Sequence, residues 1–196
     1  MKFYQFNIHD LSDEYYAFYY SLMSDEKKQK VNRFRCEDDK KRSVIGEMLA
    51  RKAISEWCNV AEESIVFNIG EYGKPYTKDL NVEFNISHSA DIVVCVVDDN
   101  PVGVDVEKIR PINFNIAKQI FNIEEIRYIF ECIPQIEVYN DYQNDAVLKR
   151  FFEIWTKKEA YGKLIGTGLF GEINVDAEIN TWMNNDYCIS VAKIVK

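Results

Sequence analysis

Histidine is scarce in this chain. The 196 residues hold two, His9 and His88, which disfavours a zinc centre of the cysteine and histidine kind and leaves a hard, oxygen-bound cation as the plausible metal. Five cysteines (Cys36, Cys58, Cys95, Cys132, Cys188) lack Cys-x-x-Cys spacing, and their odd number prevents complete internal pairing; a reduced, cytoplasmic setting fits them best. No apolar run with a small-residue cleavage site follows Met1, and none elsewhere has the length to cross a bilayer, so neither a secretory signal nor a membrane span is expected. Positive charge is also short: 24 Lys and Arg stand against 32 Asp and Glu, a formal net charge of −8. That balance argues against nucleic acid or an anionic membrane as a general partner and leaves room for a local basic pocket. Proline/glycine/serine-rich linkers and low-complexity segments are missing too, so the chain reads as one domain or as two tightly joined lobes with a boundary near Arg110-Pro111.

What is present is a chain able to bury a core. Hydrophobic residues make up 47%, and the 14% of aromatics comes mostly from Tyr and Phe. Lys2 to Ile8 reads as a strand. Ser12 to Ser24 reads as a helix with Leu11, Tyr15, Phe18, Tyr19 and Leu22 along one side. A basic window from Lys27 to Arg35 precedes a second helix, running to about Cys58, whose apolar stripe is Ile45, Met48, Leu49, Ala53 and Trp57. Gly70-Glu71-Tyr72-Gly73-Lys74-Pro75 is turn chemistry between short strands near Ile65 to Ile69 and Val82 to Ile86. The continuous apolar strand Ile92 to Val97 is expected to return, through Asp98-Asp99-Asn100-Pro101, as Val102 to Glu107 in an antiparallel pair. Ile116 to Phe130 and about Asp145 to Leu164 look helical, joined by a polar stretch with Pro134, Asn140, Asp141 and Asn144. Short β segments, Glu172 to Val175 and Tyr187 to Val195, follow. Each half therefore offers helices plus antiparallel strands, and the weak likeness of Cys95-Val96-Val97 to Cys188-Ile189-Ser190-Val191 hints at two related lobes.

Asp105-Val106-Glu107 alternates acid, apolar, acid, so Val106 enters a core while both carboxylates share the other face. Alternation alone also describes a solvated strand edge. Trp155, Glu159 and Lys163 recur every fourth position and form one helical stripe, which a surface Glu–Lys pair explains equally well. Gly162 inside that helix costs about 1 kcal/mol relative to alanine, which suits close approach of a ligand or another element. Asn85-Ile86-Ser87-His88-Ser89 ends a strand with hydroxyls and an imidazole, groups suited to phosphate oxygens or to structural roles. Asn122 followed by Glu125 is a capping-box arrangement.

In order along the chain, Gly73-Lys74-Pro75, Phe84-Asn85-Ile86-Ser87-His88-Ser89, Gly103-Val104-Asp105-Val106-Glu107-Lys108 and Trp155-Thr156-Lys157-Lys158-Glu159-Ala160 resemble the motifs of 4′-phosphopantetheinyl transferases of the surfactin-synthetase-activating type. The resemblance runs from the first strand to about Leu169. It implies an α+β fold of two pseudo-two-fold-related α/β lobes with antiparallel sheets, residues 1–110 and 111–196, with coenzyme A in the cleft between them, and this two-lobed reading favours a monomer. It also implies that Asp105, Glu107 and Glu159 hold Mg²⁺, that Lys163 contacts the pyrophosphate, that Ser87 and His88 are phosphate-contacting and that Lys74 lies on the adenosine side. Lys27, Lys30, Arg42 and Ser43 align with the surroundings of the adenosine 3′-phosphate. The implied reaction moves the phosphopantetheine arm to a serine of an apo acyl or peptidyl carrier protein, with Glu159 as the preferred base and Glu125 second. A non-catalytic coenzyme A- or carrier-binding module is the alternative, and hydrolysis of coenzyme A a further one. Gly162 and Thr167 depart from many relatives, and the chain after Leu169 is short, so a different carrier-facing surface is expected.

Overall fold

The computed structural model describes residues 1–70, 73–131, 144–166 and 176–195. Expectations placed on Glu71, Tyr72, Cys132, Pro134, Asn140, Asp141, Thr167, Leu169 and Glu172 to Val175 lie outside the described residues.

Local capping chemistry sets the helix starts. Ser12 accepts from the Tyr15 amide and opens α1 (Asp13–Leu22), and Ser24 accepts from the Lys27 amide and opens α2 (Asp25–Asn32); each satisfies one of the amides a helix start leaves unpaired. The basic window is thus a short helix of its own. Helix α3 (Glu37–Cys58) follows and stops at Asn59, which takes a left-handed conformation. On α1, Tyr19 is buried while Tyr15 and Phe18 remain exposed, so the expected apolar side is only partly covered.

The expected helix from Ile116 to Phe130 is broken into α4 (Ala117–Ile120) and α5 (Ile123–Phe130). The cause is the capping box itself: Asn122 accepts from the Glu125 amide while the Glu125 carboxylate accepts from the Asn122 amide, a pairing that requires Asn122 to leave the helical conformation. Helix α6 (Asp145–Ile165) starts at an Asn144 cap and ends at Gly166, φ 76°.

The strands are β1 (Lys2–Asn7), β2 (Phe67–Ile69), β3 (Pro75–Thr77), β4 (Glu83–Ser89), β5 (Ile92–Asp98), β6 (Val102–Lys108), β7 (Ala177–Asn184) and β8 (Tyr187–Ile194). They form antiparallel sheets in the orders β1-β5-β4, β2-β3 and β6-β8-β7, so the fold is α+β. The two segments whose likeness hinted at related lobes are the central strands, β5 and β8, of the two three-stranded sheets. Strand β7 has no counterpart in the sequence reading, because its polar residues, Glu178, Asn180, Thr181 and Asn184, suppress the apolar signal.

The pairing expected between Ile92 to Val97 and Val102 to Glu107 is corrected by this topology. Strand β5 has β1 and β4 on its two sides, in register from Lys2↔Val97 and Glu83↔Asp98, which leaves it no free edge. Beyond the Asp99-Asn100-Pro101 turn the chain therefore crosses into the second sheet, where β6 pairs with β8, Asp105 opposite Ser190. Both faces of β5 are covered, and this is why it is apolar throughout. Val93, Cys95 and Val97 face a core with α3, while Ile92, Val94 and Val96 face Val104, Val106, Ile189 and Val191 of the second sheet.

Strands β4 and β6 meet along a seam held by side chains. Asn85 Oδ1 accepts from the Val104 amide at 2.9 Å, the Ser87 hydroxyl donates to Asp105, and Ser89 Oγ accepts from the Lys108 amide while donating to Glu107. Alternation along β4 puts Asn85, Ser87 and Ser89 on the side facing β6. Helix α6 covers the same face of β6 at Gly103, where an added Cβ would lie 2.1 Å from the Ala160 carbonyl oxygen; only glycine allows that approach.

Candidate active site

The seam opens onto a cleft of about 630 Å³. One wall comes from the first half of the chain. Helix α2 contributes Lys27 and Lys30 at helical spacing, and α3 contributes Asp39, Arg42, Ser43 and Gly46 from a face beside its buried stripe. Gly73, Lys74 and Pro75 enter from the β2–β3 connection, and Asn85, Ile86 and His88 from β4. Gly162, Lys163 and Gly166 of α6 and its cap line the other side. Among the described lining residues, five lysines and arginines thus face the cleft with one acid, Asp39, in a chain of net charge −8. Such a concentration of positive charge favours a multiply anionic ligand.

The basic groups are held individually. Lys27 Nζ lies 2.9 Å from Glu47, and the Glu47 carboxylate also receives Arg51 at 2.7 and 2.9 Å. Arg51 spends its remaining donors on the Leu22, Glu62 and Ile65 carbonyls. Arg42 donates to Asp39 and to the Ala90 carbonyl, each at 2.6 Å. Glu47 and Arg51 are absent from the sequence reading; the available signal was an acid and a base four apart on a helix whose other residues there are apolar. Burial lowers the Lys74 pKa, with Glu83 acting against it, and desolvation plus the charges of Arg42 and Lys163 keep His88 below its ordinary range although the residue is exposed.

The acids lie across the seam. Asp105 is 4% exposed, so the reading of a solvated strand edge is wrong for it: the face it shares with Glu107 is covered by α6 and by the β4 hydroxyls. Asp105 Oδ1 accepts from Lys163 Nζ at 2.7 Å and from Ser87 at 2.9 Å, and Lys163 donates to Ser87 as well, at 2.9 Å. Its other oxygen, Oδ2, is buried and has no hydrogen-bond partner among the described residues. Lys163 therefore bridges the two sheets, which overturns the reading of a surface pair with Glu159. Trp155, at the other end of that stripe, stacks on Phe151 in the core beside α6.

Desolvation raises the pKa of Asp105 against the opposing pull of Lys163 and Ser87. Burial likewise raises Glu107, with Asp105 adding to it, and raises Glu159, again with Asp105 adding. Burial thus pushes all three acids toward protonation and Asp105 adds to it at Glu107 and Glu159, a cost that a cation would relieve. Among the described residues no three acidic, histidine or cysteine side chains are already gathered as a ready metal site. A cation that takes one or two carboxylates and completes its shell with water and phosphate oxygens does not need one, and the orphaned Asp105 oxygen is a ligand of the right kind. Glu125, by contrast, is engaged: besides its capping role it accepts from Lys158 at 3.0 and 3.2 Å.

Residues 10–100 match the family described as 4′-phosphopantetheinyl transferase, N-terminal, and residues 101–194 match the 4′-phosphopantetheinyl transferase superfamily. The chain is 41% identical over 159 residues to the 4′-phosphopantetheinyl transferase gsp of Aneurinibacillus migulanus, covering 81% of this chain and 62% of that protein. It is 36% identical over 160 residues to 4′-phosphopantetheinyl transferase Sfp of Bacillus subtilis (strain 168), covering 81% of this chain and 67% of Sfp. With AcpT of Escherichia coli (strain K12) the identity is 32%, over 61% of this chain and 58% of AcpT. The chain spans under two thirds of the length of the gsp relative. On its motifs, fold and these matches across both halves, the chain belongs to the 4′-phosphopantetheinyl transferase superfamily.

Proposed function

We propose that the protein transfers the 4′-phosphopantetheine group of coenzyme A to a serine hydroxyl of an apo acyl or peptidyl carrier protein and releases adenosine 3′,5′-bisphosphate. The observation that carries this reading is the meeting of a cationic cleft with a buried, half-unpaired carboxylate, Asp105, along one seam. The cations fit the phosphates of the donor. Lys27, Lys30, Arg42 and Ser43 serve the 3′-phosphate, Lys74 the adenosine side, and Ser87, His88 and Lys163 the pyrophosphate.

Asp105, Glu107 and Glu159 are the residues that would hold Mg²⁺, and the chemistry it supplies when bound is neutralisation of charge on the pyrophosphate. The carrier serine oxygen forms a bond to the β-phosphorus as the bond from that phosphorus to the bridging oxygen breaks. Glu159, whose raised pKa suits a proton acceptor nearer neutrality, takes the serine proton directly or through one water. Lys163 stabilises the charge gained by the departing bisphosphate. Glu125 is second as base, because its oxygens already serve Asn122 and Lys158. No helix among the described residues is long and apolar enough to cross a membrane. The cysteines fit a reducing cytoplasm, and one active unit per chain is the simplest reading of a site built from a single chain.

Incubation of an apo carrier with coenzyme A and Mg²⁺, followed by mass spectrometry, tests the proposal. A phosphopantetheine-sized gain on the carrier is expected. Binding without a mass gain would support a non-catalytic module instead, and bisphosphate release without carrier would support hydrolysis.

A further inference from the structure

A buried carboxylate left without a cation is strongly destabilising, so Asp105 needs a positive partner at all times. In this structure that partner is Lys163, 2.7 Å from Oδ1. Yet the same lysine lines the anion cleft, where a pyrophosphate would claim it. One ammonium group faces two demands. The Ser87 hydroxyl sits between them, accepting from Lys163 and donating to Asp105, and can stay with the carboxylate when the lysine leaves. Oδ2, buried and without a hydrogen-bond partner among the described residues, leaves Asp105 with an oxygen free to bind a second cation while Oδ1 still holds Lys163.

We propose that Lys163 is an exchangeable counter-ion of Asp105: it neutralises the carboxylate until a divalent cation takes that role, and is then released into the cleft to meet the pyrophosphate. The inference rests on the reading of Asp105 as a metal-holding residue given above. Its consequence is that the lysine competes with the divalent cation at Asp105. The carboxylate stays compensated throughout, while an ammonium group is delivered to the phosphates only when the cation is in place.

Mn²⁺ alone, without coenzyme A, is the probe. Its binding to the full chain is followed from the electron paramagnetic resonance signal of the free ion, for the wild type, Lys163→Gln and Asp105→Ala. Lys163→Gln is expected to bind Mn²⁺ about tenfold more tightly than the wild type, the scale of an ordinary coupling between sites. Equal or weaker binding by Lys163→Gln overturns the exchange. A second measurement uses the wild type only: the rate of reductive methylation of the Lys163 amine, read by peptide mass spectrometry, should rise severalfold when Mn²⁺ is added, and an unchanged or slower rate overturns the exchange. Asp105→Ala separates the two levels of the argument. If it binds Mn²⁺ as the wild type does, the metal assignment itself has failed and the exchange falls with it. If it loses the site while Lys163→Gln gains nothing, only the exchange is refuted.

Discussion

Two carboxylates are buried among the described residues, Glu47 in the first half of the chain and Asp105 at the seam, and they are treated in opposite ways. Glu47 on α3 is 2% exposed and fully answered, by Arg51 through two contacts and by Lys27 through a third. Asp105 on β6 is 4% exposed, and one of its oxygens has no hydrogen-bond partner among the described residues. A complete ion network makes a fixed support; an incomplete one stores free energy that a ligand can release. The Glu47 side accordingly reads as a scaffold that ties α1, α3 and the turn at Glu62 together and holds Lys27 at the cleft. The Asp105 side reads as the reacting side.

The sharpest way to break this comparison is to delete each acid's chemistry separately. Asp105→Ala should lower the transfer rate about a thousandfold, roughly 4 kcal/mol of lost transition-state stabilisation. It should leave the urea midpoint equal to or above that of the wild type, since an under-satisfied buried charge is removed. Arg51→Ala should do the reverse. Stripped of Arg51, Glu47 keeps only Lys27, and the Leu22, Glu62 and Ile65 carbonyls lose their donor; the loss of stability should be about 3–5 kcal/mol in urea unfolding. A variant Arg51→Ala as stable as the wild type would erase the contrast.

Smaller effects sharpen it. Gly103→Ala places a methyl group 2.1 Å from the Ala160 carbonyl oxygen, so α6 must shift off β6. Overpacking of this kind costs about 1–3 kcal/mol, and because α6 carries Glu159 and Lys163 the transfer rate should fall along with the thermal midpoint. His88 gives the smallest effect and a sign that can be worked out. Its pKa is lower in the folded protein than in the unfolded chain, through desolvation and the charges of Arg42 and Lys163. The unfolded chain therefore binds the proton more readily, and stability present above about pH 6.5 is lost as the pH falls toward the folded value. His88→Asn should flatten that acid loss by under about 1 kcal/mol, because His88 is exposed. Unfolding curves at pH 7.5 and 5.5 for both proteins check it.

Much of this was legible in the residues. The continuous apolar run Ile92 to Val97 announced a strand buried on both faces, and Asn122 with Glu125 announced the cap that interrupts the α4–α5 segment. Asp105 and Glu107 were placed on one face by alternation alone, and the ordered motifs pointed to the superfamily. What the sequence could not reveal was partnership at long range. Nothing local tells Val102 to Lys108 to leave β5 for β8, since a four-residue turn usually closes a hairpin; only the occupation of both edges of β5 by β1 and β4 decides it. The burial of Asp105 follows from that crossing, because it brings β6 beneath α6 and beside the β4 hydroxyls. Glu47 and Arg51 stayed hidden for a related reason: an i, i+4 pair reads as a surface ion pair until the carbonyls of Leu22, Glu62 and Ile65 are known to surround it.

The central claim is that Asp105 is kept incompletely satisfied for the sake of the transfer reaction. The most direct measurement is the mass of an apo carrier, with the modified residue located by fragmentation, after equal incubation with coenzyme A, Mg²⁺ and either the wild type or folded Asp105→Ala protein. The account predicts a phosphopantetheine group on a carrier serine with the wild type and none with the variant over the same time. Equal modification by the two proteins would contradict it.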